Sequence, residues 1–306
     1  MTTNKENQSK PRSIVAESWK GVREELVRQT FLGATHGEAM PGIPVIMGCP
    51  IDFTSTFRRG SAHAPGAIRV ASESIETYSP LLDQDLEDLV FSDIGDICSC
   101  DDPLNTALQQ IETSVKALVQ QGCRPLILGG EHTITFPVVK VLNSVYTSFI
   151  LLHVDAHADL RDEYEGNAVN HATVIRRSQE VIGPDRLLQL GIRAGTRAEF
   201  SWMKTQGTLM HWIPGAERQL FQRIGDRPVY LSLDLDVLDP ACLPGTGNPE
   251  AGGWFYNDLE RLFCLLRPFK IVGADVVELN PWLDASQASS ITAAKIVREL
   301  LILLAG

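Results

Sequence analysis

Six short runs of apolar, largely aliphatic residues punctuate the chain: IPVIMGC (43–49), PLILGG (125–130), FILLHVDA (149–156), LLQLGI (187–192), VYLSLDLD (229–236) and IVGADVVEL (271–279). They are too short for core helices and lack a regular polar alternate, which predicts strands buried on both faces. Between them the period changes. In LNTALQQIETSVKALVQQG (104–122), Leu104, Ala107, Ile111, Val115 and Leu118 fall on one helical face and Gly122 supplies the stop. Alternating strands and helices predict an α/β fold of three layers, α/β/α, with a mainly parallel sheet. Residues 1–15 are polar and aperiodic and predict a flexible tail, whereas nothing later has a linker's composition, so 16–306 is expected to form a single domain. The segment WKGVREELVRQTFLG, within residues 16–40, has helical character suited to packing on a neighbouring subunit or over a site mouth.

In sheets of this kind ligands bind beyond the carboxyl ends of the strands. Four runs put polar groups there: His132 in GGEHT, Asp155, His157 and Asp159 in DAHAD, Asp234 and Asp236 in DLD, and Glu278 in ELN. The i, i+2, i+4 spacing of Asp155, His157 and Asp159 places them on one face of an extended chain. A lone DLD more often caps a turn, and a lone histidine is more often a satisfied core residue; the four strand ends together carry the metal reading. Four aspartates in one cleft repel one another and are costly to bury, so positive charge is expected among them. Two divalent ions balance four carboxylates, and six donors with some bridging suffice for a dinuclear centre. Imidazole and carboxylate donors without thiolate favour manganese, with nickel or cobalt as alternatives. Two such ions held ~3.5–4 Å apart activate a water, which makes hydrolysis the expected reaction class. Glu278 is not needed as a ligand and is expected to hold a cationic substrate group over that water.

Charge and cysteine content narrow the partners. Lys plus Arg total 27 against 38 Asp plus Glu, a formal charge of −11, which argues against nucleic acid or an anionic membrane and suits a small cationic substrate. Six cysteines without a CxxC pair are expected to be reduced thiols. The polar N-terminus is no signal peptide and no apolar run reaches the ~18 residues of a spanning helix, so the cytoplasm is the expected compartment.

The motifs resemble those of the ureohydrolases, the arginase and agmatinase family. GGEHT (129–133), DAHAD (155–159), SLDLDVLDPACLPGTGNPEAGG (232–253) and VVELNP (276–281) stand where that family has GGDHS, DAHxD, an SxDxDxxDP segment with its following loop, and VVExNP. Similarity extends through PIDFTSTFRRGSAHAPGAIR (50–69) and covers nearly everything from residue 43 onward. The resemblance implies an arginase-like fold and two manganese ions, one on His132, Asp155, Asp159 and Asp234, the other on Asp155, His157, Asp234 and Asp236. It implies that Asp155 and Asp234 bridge, that Glu278 contacts a guanidinium, that His171 in NHATVIRR serves proton transfer or holds substrate, and that urea is the product. Homotrimers or homohexamers are likewise implied. Two departures stand out: Glu131 replaces an aspartate beside His132, lengthening the expected support of that ligand, and Ala172 occupies a usual glycine position. The SHAT-like segment and the DLRDEYEG loop look more like agmatinases than arginases, and Asp162, Glu163 and Glu165 of that loop are expected to attract the ammonium of agmatine. Arg161 beside them suits a carboxylate, as in arginine or guanidinobutyrate; guanidine is a further alternative, and a catalytically silent relative would have lost a ligand, which this chain has not. A single-zinc deacetylase of related fold ranks lower, because its tandem histidines and tyrosine have no counterpart here.

Overall fold

The computed structural model describes residues 30–36, 39–213 and 215–306. The expected tail, and residues 16–29 of the N-terminal segment, lie outside them. Eleven strands are described: β1 (Thr35–His36), β2 (Pro44–Cys49), β3 (Tyr78–Ser79), β4 (Gln84–Asp85), β5 (Ser92–Asp96), β6 (Arg124–Gly129), β7 (Ile150–Val154), β8 (Leu187–Leu190), β9 (Leu209–Met210), β10 (Val229–Asp234) and β11 (Ile271–Val277). The eight α-helices are α1 (Ala64–Ser72), α2 (Leu104–Gln120), α3 (Thr135–Val145), α4 (Val174–Ile182), α5 (Arg197–Gln206), α6 (Ala216–Ile224), α7 (Tyr256–Leu266) and α8 (Ala288–Ala305).

Nine strands form one sheet in the order β1-β5-β2-β6-β11-β10-β7-β8-β9, with every pair parallel. β3 and β4 make a separate antiparallel pair. The apolar runs are solid because successive side chains feed two different cores. Ile46, Leu126, Leu128, Leu152 and Leu231 pack with α1, α7 and α8, whereas Val45, Met47, Ile127, Leu151 and Tyr230 pack with α2, α3 and α4. These strands are therefore covered on both faces, the arrangement a parallel sheet requires.

β5 escapes the apolar pattern because its buried polar side chains have built-in partners. Asp93 and Asp96 receive the fully buried Arg69 of α1 at 2.8 and 2.6 Å. A charge left without its partner there would be costly to bury, so SDIGD forms a strand between β1 and β2 in spite of its polarity.

From β7 the chain runs outward through β8 to β9, then returns with β10 and β11 to fill the gap between β6 and β7. Ligand crevices form where a sheet's winding direction changes. The carboxyl ends of β6, β11, β10 and β7 are thus neighbours, and they carry His132, Glu278, Asp234 and Asp155. All six cysteines are free, and no helix of the described residues is long and apolar enough to cross a membrane.

Candidate metal centre

His132 opens a short 3-10 turn after β6. The tight approach that precedes it depends on Gly130, where an added Cβ would lie 1.9 Å from the carbonyl oxygen of Ile51. The ring has a fixed tautomer. Ser232 Oγ lies 2.9 Å from Nε2 and donates its own proton to Asp275 Oδ1 at 2.8 Å, so Nε2 must be the donor of the His132–Ser232 bond. Asp275 is held in turn by the hydroxyls of Thr135 and Tyr230 at 2.9 and 2.7 Å. This leaves Nδ1 with a bare lone pair. It is buried, makes no hydrogen bond, and faces Asp155 Oδ2 at 3.1 Å, Asp159 Oδ2 at 3.2 Å and Asp234 Oδ2 at 3.3 Å. A nitrogen lone pair among three carboxylate oxygens fits a cation and little else.

A second cluster adjoins it. His157 Nδ1 lies 2.8 Å from Asp236 Oδ2 and 3.7 Å from Asp155 Oδ1. Asp155 belongs to both groups, with one carboxylate oxygen toward each. Backbone N–H groups aim the acids: His157 N donates to Asp155 Oδ1, Ala156 N to Asp236 Oδ1, and Asp236 N to Asp234 Oδ1. Electrostatically the cluster is short of positive charge. Burial and the repulsion of Asp236 and Asp155 push Asp234 well above the usual carboxylate range, and Asp236 is raised by burial and Asp155. Burial would lower His132, yet the carboxylates of Asp155, Asp159 and Asp234 around it raise it well above the ordinary imidazole value. Divalent cations would relieve both strains, and the donor set suits them.

The convergence does not come from strand alternation. β7 ends at Val154, and residues 155–159 form a loop in which Asp159 adopts φ 51°. Among the described non-glycine residues with positive φ, Asp159, Glu165 and Glu278 all line one cavity, strain of the kind that collects at functional sites. The cavity holds about 720 Å³ above the acids and is also lined by Arg58, Arg161, Tyr164, His171, Asn248 and Glu250. Glu278 follows β11 and accepts the backbone N–H of His132 at 2.8 Å. Burial, with Glu131 nearby, pushes its carboxyl up to about 8 against the bond from His132, so a cationic guest would favour its ionised form.

Three expectations need correction or relocation. Glu131 does not brace the ring of His132; its carboxylate accepts the N–H and O–H of Thr54 at 2.6 and 2.9 Å. Asp162 and Glu163 are not among the residues lining the cavity: Asp162 is 81% exposed and pairs with Arg177 at 2.7 Å. Glu165, which is exposed, and Glu250, which is half-buried, do line it. Sequence reading also missed His153, hidden as an apparent core residue in LLHVD. Its Nε2 lies 2.8 Å from Asp155 Oδ2, and Gln189 Nε2 stands 3.3 Å from its Nδ1. Gln189 is oriented by the hydroxyl of Thr208 on its oxygen and by the carbonyl of Ala158 on its nitrogen, so Gln189 donates to Nδ1 and His153 donates to Asp155.

Comparison with known proteins agrees with this geometry. A model of the arginase family matches residues 44–303. An agmatinase of Bacillus subtilis is 39% identical over 262 residues, 84% of this chain and 90% of its own. A guanidinobutyrase of Pseudomonas aeruginosa is 33% identical over 273 residues, 85% of this chain and 86% of its own. Among solved structures, the agmatine ureohydrolase of Thermoplasma volcanium superposes with a TM-score of 0.80 at 31% identity, covering 93% of this chain and 97% of that one.

Proposed function

Since the chain belongs to the arginase family, we propose that it hydrolyses agmatine to putrescine and urea on a pair of divalent ions, manganese in the first instance. The observation that carries the reading is the bare Nδ1 of His132 facing three carboxylates, with Glu278 beside it on the wall of one cavity. His132, Asp155, Asp159 and Asp234 would hold one ion, and Asp155, His157, Asp234 and Asp236 the other. Ions bound there supply Lewis acidity that lowers the pKa of water.

The chain's own residues do the rest. Glu278 binds the guanidinium by charge-assisted hydrogen bonds and fixes its plane over the acids. Water adds through its oxygen to the guanidinium carbon and gives up its protons, the bond from that carbon to the alkyl-bearing nitrogen breaks to leave urea, and His171 gives a proton to the departing amine. The far ammonium of agmatine then falls to Glu165 and Glu250, in place of Asp162 and Glu163.

A second reading has its own observation. Arg161 lines the cavity with its guanidinium 4.7 Å from the centre of the Tyr164 ring, which suits a substrate ending in a carboxylate, such as guanidinobutyrate. Urea release after loading with manganese or nickel, measured for agmatine, guanidinobutyrate, arginine and guanidine, decides between them. Agmatine is expected to have the highest kcat/KM by about tenfold or more. A lead for guanidinobutyrate moves the assignment to Arg161, and no urea from any compound overturns the hydrolase reading.

A further inference from the structure

His171 is fixed through one ring nitrogen and its own backbone. Nδ1 lies 3.2 Å from Thr54 Oγ1, and the backbone N–H of His171 donates to the same oxygen at 3.1 Å. Tyr164 meets the ring edge-on at 5.9 Å between centroids. Thr54 is fixed from behind by Glu131, which is fully buried and takes both the N–H and the O–H of Thr54 on its two carboxylate oxygens. Thr133 Oγ1 stands at the longer distance of 3.3 Å from Thr54 and also bonds Glu131.

A hydroxyl has one proton to give and two lone pairs with which to accept. The carboxylate can only accept, so the proton of Thr54 goes to Glu131. Its lone pairs are left for His171, one for the backbone N–H and one for the ring. Nδ1 must then be a donor, and Nε2 is left as the nitrogen that carries the exchangeable proton.

We infer that Glu131 and Thr54 are positioning residues that hold His171 in the tautomer and orientation needed for proton delivery. The inference rests on the reading of His171 given above. It also accounts for the glutamate in GGEHT: an aspartate would withdraw the carboxylate by about one bond length, ~1.5 Å, and leave Thr54 free to turn its proton toward Nδ1.

The test compares Thr54→Val, Thr54→Ser, Glu131→Gln and His171→Ala in manganese-loaded enzyme turning over agmatine, with bound manganese measured in each. Thr54→Val keeps the shape and removes the hydroxyl; it is expected to lower kcat about 30- to 100-fold with KM within about threefold and metal content unchanged. Thr54→Ser should restore kcat to within about threefold of wild type. Glu131→Gln presents an amide N–H to Thr54, turns the threonine proton toward Nδ1, and should reproduce the loss seen in Thr54→Val. Wild-type kcat in Thr54→Val or in Glu131→Gln, while His171→Ala is impaired, overturns the inference. So does loss of manganese in Thr54→Val, which would make Thr54 a support of the metal centre. Full activity in His171→Ala, or a wild-type enzyme that releases no urea from agmatine, overturns the reading beneath it.

Discussion

A single proton decides whether His132 can serve as a ligand. Ser232 accepts that proton at Nε2 because Asp275 has already taken the serine's own. Replacing Ser232 with Ala removes the acceptor and lets the ring put its proton on Nδ1, among the carboxylates. Manganese affinity, measured by equilibrium dialysis with metal analysis, should fall about ten- to a hundredfold, the usual cost of removing an outer partner of a metal ligand; unchanged affinity would show that the relay does not set the tautomer. Glu278 predicts the opposite separation. Glu278→Gln should keep both ions while raising the KM for agmatine at least tenfold, because a neutral amide gives up the charge-assisted bond. Metal loss in that variant would mean that the side chain holds an ion. That the six candidate donors gather in one place was legible because they interrupt apolar runs at strand ends, where ionisable groups have few structural uses. His153, Gln189 and Thr54 were not: each is an ordinary polar residue, and the partners that orient them are remote, Gln189 standing 36 positions from His153 and Glu131 77 positions from Thr54.

Elements with solid apolar runs were readable to within a residue or two, as β2, β6 and α2 show: runs 43–49, 125–130 and 104–122 became Pro44–Cys49, Arg124–Gly129 and Leu104–Gln120. β5 was hidden because its burial is balanced by an ion pair with α1 rather than by apolar side chains. The site-bearing loop 155–159 was misread as strand, since nothing local announces that Asp159 turns left-handed. The start of α8 is similarly remote in origin. Gln287, its N-terminal flanking residue, has φ 60° and offers no side-chain cap; Asp284 supplies one, accepting the N–H and O–H of Ser289 at 2.8 and 2.6 Å and both donors of Ser286. Although burial opposes ionisation, these bonds hold its carboxyl down to about 2. A depressed folded-state value means the stabilisation is fully present above the ordinary aspartate range and is lost as pH falls toward 2. Asp284→Ala should therefore lower stability by about 1–2 kcal/mol near pH 7 in urea unfolding. The gap between variant and wild type should narrow steadily below pH 4. A gap that is the same at pH 7 and pH 3 would show that the carboxylate charge is not what caps the helix.

At the scale of the molecule, the sheet concentrates its liability in one place. Four central parallel strands, covered on both faces, open at their carboxyl ends onto Asp155, Asp159, Asp234 and Asp236, all buried. Fold stability and site charge are therefore linked: whatever neutralises the acids also stabilises the sheet ends that carry them. A ligand that binds only the folded chain contributes about 2.7 kcal/mol at a hundredfold excess over its Kd. For a domain of this size that corresponds to a rise in Tm of about 5 °C or more. Manganese should raise the melting temperature by that order, and EDTA should reverse it. Asp236→Asn separates the two contributions. It removes one member of the repelling cluster, so its metal-free form should melt at or above metal-free wild type, while added manganese should raise its Tm far less. If the wild-type Tm is indifferent to both manganese and chelator, the buried acids are stabilised by the protein alone, and the dinuclear reading of this crevice fails with them.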